Sequence, residues 1–253
     1  MLALITGASS GIGRDMARVL ASRGYDLILV ARRKDRLEEL KSEFKVNVKI
    51  IVLDLSIEEN VYKLFQKCVK DNIDILINNA GFGLFGEFYK TDLDTELKMI
   101  DLNIKAYHIL TKLFLQDFIK KDRGYILNVC SSAGFMAGPI LSTYYATKNY
   151  VTKLTMAINE ELRVKKSKVV ISALCPGPVA SEFNKVAHGT FSIREANSYQ
   201  VAEYALKKLF KNKMIIVPTV MMKLTLFLNR FAPYRLALNI AYRIQKRKST
   251  KNG

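Results

Sequence analysis

The stretch LALITGASSGIG, Leu2–Gly13, sets an apolar run of strand length against a turn holding three glycines, and RDMARVLASR then resumes at helical spacing. The segment TGASSGIG, Thr6–Gly13, therefore falls between a strand and a helix. Glycines at such a junction permit a tight turn and let the backbone come close to a pyrophosphate, whose charge the following helix N-terminus favours. A glycine-rich turn alone is weak evidence, and a plain strand-to-helix turn is the bland alternative; position after the first strand strengthens the ligand reading.

Working outward, six further apolar runs follow: LILVA, VKIIVLD, DILIN, YILNV, VVISAL and MIIVP. Their near-continuous apolarity suits strands buried on both faces. Between them, segments such as Arg14–Arg23, Asp35–Phe44 and Glu58–Lys70 carry apolar residues at helical spacing with charges opposite. The alternation predicts an α/β fold: a doubly wound, Rossmann-type, mostly parallel seven-stranded sheet with helices on both faces. Residues 1–218 form the expected binding and catalytic domain, and 219–253 a basic helical extension of the same structural unit. In such sheets ligands sit beyond the carboxyl ends of the strands, so chemistry is sought at those junctions.

Composition bounds the possibilities. A chain of 253 residues with 49% hydrophobic content can bury one large core. Cys68, Cys130 and Cys175 are odd in number without paired spacing, and strand character from Leu2 leaves no room for a signal peptide; a reducing cytoplasmic location is expected. No apolar run reaches the roughly 17 to 25 residues of a spanning helix, since Met214–Leu228 is interrupted by Pro218 and Lys223. Net charge is +17, and Val201–Gly253 holds twelve Lys/Arg against the single acid Glu203. Such a surface attracts anionic lipid or an acidic carrier protein, with a peripheral membrane contact as one outcome. Nucleic acid is disfavoured, because no aromatic-interleaved basic motif or recognition-helix pattern accompanies the charge.

An acidic residue at the end of the second strand would bind the ribose hydroxyls of NAD. Here the sequence reads ARRK, and Arg32 and Arg33 instead suit a 2′-phosphate, favouring NADP (NADPH) over NAD. Further along, SSAGFMAGPILSTYYATK, Ser131–Lys148, presents two serines, two tyrosines and a lysine. Tyr144 and Lys148 are four apart and share a helix face, whereas Tyr145 points elsewhere and is left for packing or substrate. A nearby ammonium would stabilise a phenolate and lower the tyrosine pKa from about 10.

Together these segments resemble the short-chain dehydrogenase/reductase family over essentially all of Leu2–Pro218. Four motifs carry the likeness in order: TGASSGIG, NNAG at Asn78–Gly81, the serine with Tyr-x-x-x-Lys, and PGPVAS at Pro176–Ser181. The resemblance implies a catalytic serine thirteen residues before the tyrosine, which selects Ser131 and leaves Ser132 aside. It implies that Tyr144 exchanges the proton of a carbonyl or alcohol oxygen, that Ser131 hydrogen-bonds that oxygen, and that Lys148 lowers the tyrosine pKa and binds the nicotinamide ribose. Asn103, in DLNIKA, matches an asparagine supporting a water relay; its plain alternative is a helix-interior Asn satisfying backbone. Cofactor contacts are implied for Gly7, Ser9, Ser10, Gly11, Ile12 and Gly13, for Asp54 and Leu55 by the adenine, and for Asn79, Ala80 and Gly81 along the ribose. Asn78 is assigned to bracing the sheet. Pro176, Gly177, Val179 and Ser181 match the segment holding the nicotinamide amide and a phosphate, with Ser181 where the family often has Thr. The family's NADP users often carry a basic residue where this chain has Ser10, so the cofactor preference rests on Arg32 and Arg33.

His108 and His188 are given no catalytic role, and no Cys, His and carboxylate set has metal-ligand spacing. Substrate choice falls to Phe82–Lys90, Phe135–Thr143 and Val186–Tyr199, whose Phe82, Leu84, Phe85, Phe88, Phe135, Met136, Ile140 and Phe191 suggest an apolar pocket. Beyond the last strand, apolar residues at Leu224, Phe227, Leu228 and Phe231 and at Leu236, Ile240 and Ile244 predict two amphipathic helices broken at Pro233. They could cover the cleft, pair with another subunit or lie on an anionic membrane; docking on the protein's own subunits is the favoured expectation. The expected activity is NADPH-dependent interconversion of a carbonyl and a secondary alcohol on a hydrophobic small molecule, in a homodimer or homotetramer. A ketoreductase of carrier-bound acyl chains and a non-catalytic NADP sensor are the alternatives.

Overall fold

The computed structural model describes residues 1–180, 182–183 and 195–249. Each apolar run forms a strand: β1 (Leu2–Thr6), β2 (Asp26–Ala31), β3 (Val48–Val52), β4 (Ile75–Asn78), β5 (Tyr125–Val129), β6 (Val170–Leu174) and β7 (Ile215–Ile216). They make one sheet in the order β3-β2-β1-β4-β5-β6-β7, with every neighbouring pair parallel. The run MIIVP pairs over two residues only, at the sheet edge. Pro218 lacks the N–H that would extend it.

Nine helices are described: α1 (Gly11–Ser22), α2 (Lys34–Ser42), α3 (Glu58–Cys68), α4 (Leu93–Ile100), α5 (Tyr107–Lys121), α6 (Ser142–Val164), α7 (Ser198–Leu209), α8 (Val220–Asn229) and α9 (Tyr234–Ser249). Because side chains alternate along a strand, Ala3 and Ile5 of β1 enter the layer formed with α1, α2 and α7, while Leu4 enters the opposite layer with α3 and α5. There Phe114 and Phe118 are fully buried, each contributing about 1.5–3 kcal/mol of transfer free energy. None of the described helices is long and apolar enough to cross a membrane.

Polar side chains lock this second layer. Asn78 Nδ2 donates to Thr111 Oγ1 at 3.1 Å and to Asn128 Oδ1 at 2.9 Å, and Asn128 Nδ2 donates to Thr155 Oγ1 at 2.9 Å. All four residues are buried, so β4, β5, α5 and α6 are held in one relative position, and Asn78 braces the sheet. Crossovers diverge between β1 and β4, leaving a crevice above their carboxyl ends. Asn128→Ala would take one acceptor from the buried Asn78 amide and the donor to Thr155 Oγ1, leaving each with a single partner, Thr111 and the Val151 carbonyl; we expect urea unfolding to show a loss of about 1–3 kcal/mol.

Candidate active site

A cavity of about 460 Å³ occupies that crevice, bounded by the turn after β1, the ends of β2 to β6, and helices α6, α8 and α9. At its floor Gly7 has φ +65°, and a Cβ there would stand 2.8 Å from Ala80 Cα. Only glycine meets both requirements. Asn79 fastens the turn, donating from Nδ2 to the carbonyls of Thr6 and Gly7 at 3.0 and 3.1 Å. Gly13 does not face the cavity: a Cβ there would meet Asn79 Nδ2 at 2.3 Å and Gly7 O at 2.6 Å, so this glycine lets α1 pack against the turn. Ser9, Ser10, Gly11 and Ile12 line the cavity with Gly7, as do Ala80 and Gly81.

At the far end of β2, the Arg33 guanidinium donates to Ser9 Oγ at 3.0 and 3.3 Å and to Glu182 Oε2 at 2.9 Å. Arg36, one turn into α2, donates to the other oxygen of Glu182. Arg36 and Arg33 together hold that carboxyl far below its ordinary range, at about 2. Arg36 and Glu182 were not singled out from sequence, since 146 residues separate them. Arg32 is more exposed and lies 3.6 Å from Asp54. Burial raises the Asp54 pKa, but hydrogen bonds from Ser56 and the Arg32 charge outweigh it and the net shift is downward. Asp54 and Leu55 both line the cavity.

At the opposite end, β5 and α6 bring Ser131, Tyr144 and Lys148 together on the cavity wall. Ser131 caps a short turn, its Oγ accepting from Ala133 N at 3.1 Å, and its hydroxyl acts on the Tyr144 phenol in the direction that favours the phenolate. Lys148 is only 4% exposed; its Nζ donates to Val129 O at 2.9 Å and lies 5.2 and 5.8 Å from the ring centroids of Tyr107 and Tyr144. Burial pushes the Tyr144 pKa up, against the opposing Ser131 hydrogen bond. The expectation that Lys148 would lower this pKa is therefore not met: the net shift is upward, with desolvation the largest cause, and burial pulls Lys148 itself down to about 8.

Asn103 lies in a π-helical turn, Asp101–Ala106, between α4 and α5. Its Oδ1 accepts from Phe82 N at 3.2 Å while Nδ2 donates to Phe82 O and Thr147 Oγ1 at 2.9 and 3.1 Å. The side chain is fully buried and braces the loop after NNAG, matching the backbone-satisfying alternative; it does not line the cavity. Pro176, Gly177 and Val179 line the cavity from the loop after β6. The carbonyl of Pro176 accepts from Ser132 N at 2.8 Å, joining that loop to the serine turn. Ser181, His188 and Phe191 lie outside the described residues. His108 Nδ1 is 2.8 Å from Tyr150 OH, away from the cavity.

The apolar lining differs from expectation. Phe82 and Met136 contribute, but Phe135 packs into the core, Ile140 is buried beside the cavity and Phe88 is 65% exposed. Leu141, Phe183, Met222, Ala241 and Ile244 supply the wall instead. The Phe183 ring lies 5.2 Å from that of Tyr144. Tyr145 also faces the cavity, and its hydroxyl accepts from Gln245 Nε2 at 2.8 Å. Ile244 had a signal in the C-terminal amphipathic pattern, which does not state which way the helices turn; Met222 was not singled out from sequence.

The short chain dehydrogenase family description matches residues 1–190, and the chain belongs to that family. The very-long-chain 3-oxoacyl-CoA reductase of Macaca fascicularis is 33% identical over 196 residues, which make up 74% of this chain and 62% of that protein. The chain thus spans less than two thirds of that relative's length. The short-chain dehydrogenase from Sphingobium yanoikuyae in complex with NADPH superposes with a TM-score of 0.81 at 31% identity, covering 87% of this chain and 88% of that one. The bulky-bulky ketone specific alcohol dehydrogenase from Comamonas testosteroni does so with a TM-score of 0.77 at 29% identity, covering 90% and 91%.

Lys148 titrates at about 8 when folded against an ordinary 10.5, so between these values the unfolded chain binds a proton that the folded chain does not. Its contribution to stability therefore rises with pH across that window. The difference in Tm between wild type and Lys148→Met should become more positive from about pH 8 upward; a flat difference would mean an unperturbed lysine.

Proposed function

We propose that the chain is an NADPH-dependent oxidoreductase that interconverts a carbonyl and a secondary alcohol on a hydrophobic substrate. The observation that carries this reading is one cavity with a proton-donating cluster at one end and a cationic anion clamp at the other. The Glu182 carboxylate on Arg33 and Arg36, beside Ser9, is a stand-in for a phosphate, and the Gly7 cradle has room only for backbone. The residues present thus fit a dinucleotide, with Arg33, Arg36 and Ser9 on the 2′-phosphate and Lys148 by the nicotinamide ribose. Such a cofactor would supply the hydride.

The remaining chemistry belongs to the chain. Reduction builds negative charge on the substrate oxygen, so a donor must already be aimed there. Tyr144, kept protonated by burial, gives its phenolic proton to that oxygen, and Ser131 donates a hydrogen bond to it. Lys148 places positive charge near the Tyr144 ring and stabilises the phenolate left behind. In the reverse direction the same phenolate accepts the alcohol proton. Asn103 is a positioning residue that holds the Phe82 loop against Thr147.

The wall of Phe82, Met136, Leu141, Phe183 and Met222 suits an alkyl or bulky apolar substituent. The name of the Macaca relative supports a 3-oxoacyl thioester as a narrower second reading, with the basic C-terminal region drawn to an acidic carrier. A sensor that binds without turnover would have no use for the Ser131–Tyr144 pair.

Tyr144→Phe should lower kcat for ketone reduction by about 10²–10⁴-fold while leaving NADPH binding intact. Unchanged turnover in this variant would remove Tyr144 as the proton donor. Calorimetric titration of Arg33→Ala/Arg36→Ala should weaken NADPH by about tenfold or more, the loss of charge-assisted hydrogen bonds, with little change for NADH. Equal losses for both cofactors would end the 2′-phosphate assignment.

A further inference from the structure

Six large apolar side chains on or beside the two C-terminal helices face away from the protein. Leu224, Phe227 and Leu228 on α8 are 58, 55 and 57% exposed, Phe231 just beyond it is 73% exposed, and Leu236 and Ile240 on α9 are 53 and 50% exposed. Positions 224, 227, 228 and 231 fall at the spacing of one helix face, and the Phe227 and Phe231 rings touch edge to face at 5.4 Å. What turns inward is Met222 and Thr225 of α8 and Ala241, Ile244 and Gln245 of α9, which line the cavity. The six side chains named above find no such cover. The described helices here are 10 and 16 residues long, too short to span a bilayer.

Charge identifies the occupant of this face. Thr219–Ser249 contains seven Lys/Arg and no Asp or Glu. Arg230, Arg235 and Arg243 are exposed, and none pairs with a carboxylate of the described residues. A second copy seated symmetrically on the face would bring these arginines towards their own kind, with no carboxylate of the described residues paired to them. An anionic lipid surface neutralises them and takes up the apolar side chains between them.

We propose that α8 and α9 lie in the interface of an anionic bilayer, and that the cavity opens between them towards the lipid. Thr225 of α8 and Ile244 of α9 both line the cavity and are both exposed, which puts the cavity at the surface beside this helix pair. Docking follows from the surface alone. Entry of a hydrophobic carbonyl by this route rests on the reductase reading.

The full chain, without cofactor or substrate, is sedimented with phosphatidylcholine vesicles containing or lacking phosphatidylserine. We expect binding to the anionic vesicles that weakens with salt, and a fall of at least about tenfold in Arg230→Glu/Arg235→Glu. Phe227→Ser/Phe231→Ser changes exposed residues, so its Tm should match wild type while its vesicle binding falls comparably. A chain that stays in solution with anionic vesicles overturns the proposal. So does a stable homodimer in size-exclusion chromatography that Phe227→Ser/Phe231→Ser converts to monomer. Tyr144→Phe should bind vesicles like wild type, which separates failure of docking from failure of the catalytic reading. With docking present, the serine double variant should lose turnover of a long-chain 2-alkanone delivered in vesicles and keep turnover of a short soluble ketone; equal effects on both would overturn the entry route.

Discussion

A charged lysine withdrawn from water organises this molecule. Lys148 has a hydrogen bond to Val129 O, at the carboxyl end of β5, and two tyrosine rings within 6 Å. An ammonium in such surroundings tolerates burial only if its partners are fixed in place. They are fixed by the sheet: β5 is held between β4 and β6, and the Asn78–Asn128–Thr155 hydrogen bonds tie α6 to it. The same helix turn then delivers Tyr144 to Ser131. Displacing α6 would therefore disturb the lysine, the phenol and the sheet brace together.

Much of this was legible because it is local. Seven apolar runs marked the strands, since strands covered on both faces leave no room for polar alternation. The spacing of Tyr144 and Lys148 puts them on one helix face, and both side chains reach one cavity, although Tyr145, expected to point elsewhere, reaches it too. Asn78 was correctly read as a sheet brace.

What the sequence did not disclose depends on long-range placement and on burial. Arg36 and Glu182 meet only because the loop after β6 folds back over α2. Gly13 belongs to the glycine motif, yet its work is to admit Asn79, a contact no spacing rule states. Proximity of a lysine suggested a lowered tyrosine pKa, but desolvation of both groups is the stronger effect. Periodicity likewise found the two C-terminal helices without revealing that their apolar faces turn outward. A hydrophobic face is a property of the helix; its direction is set by what the rest of the protein, or a surface beyond it, offers.

The central proposal is that a nicotinamide cofactor held in the cavity would supply hydride to a carbonyl carbon while Tyr144 gives a proton to the oxygen. Its most direct test is isotopic: a long-chain ketone is incubated with the full chain and NADPH deuterated at C4 of the nicotinamide, and the product is read by mass spectrometry and NMR. Deuterium on the carbinol carbon of a secondary alcohol, with a solvent proton on its oxygen, is the predicted result. NADPH bound tightly with no deuterium transferred to any carbonyl tested would contradict the account.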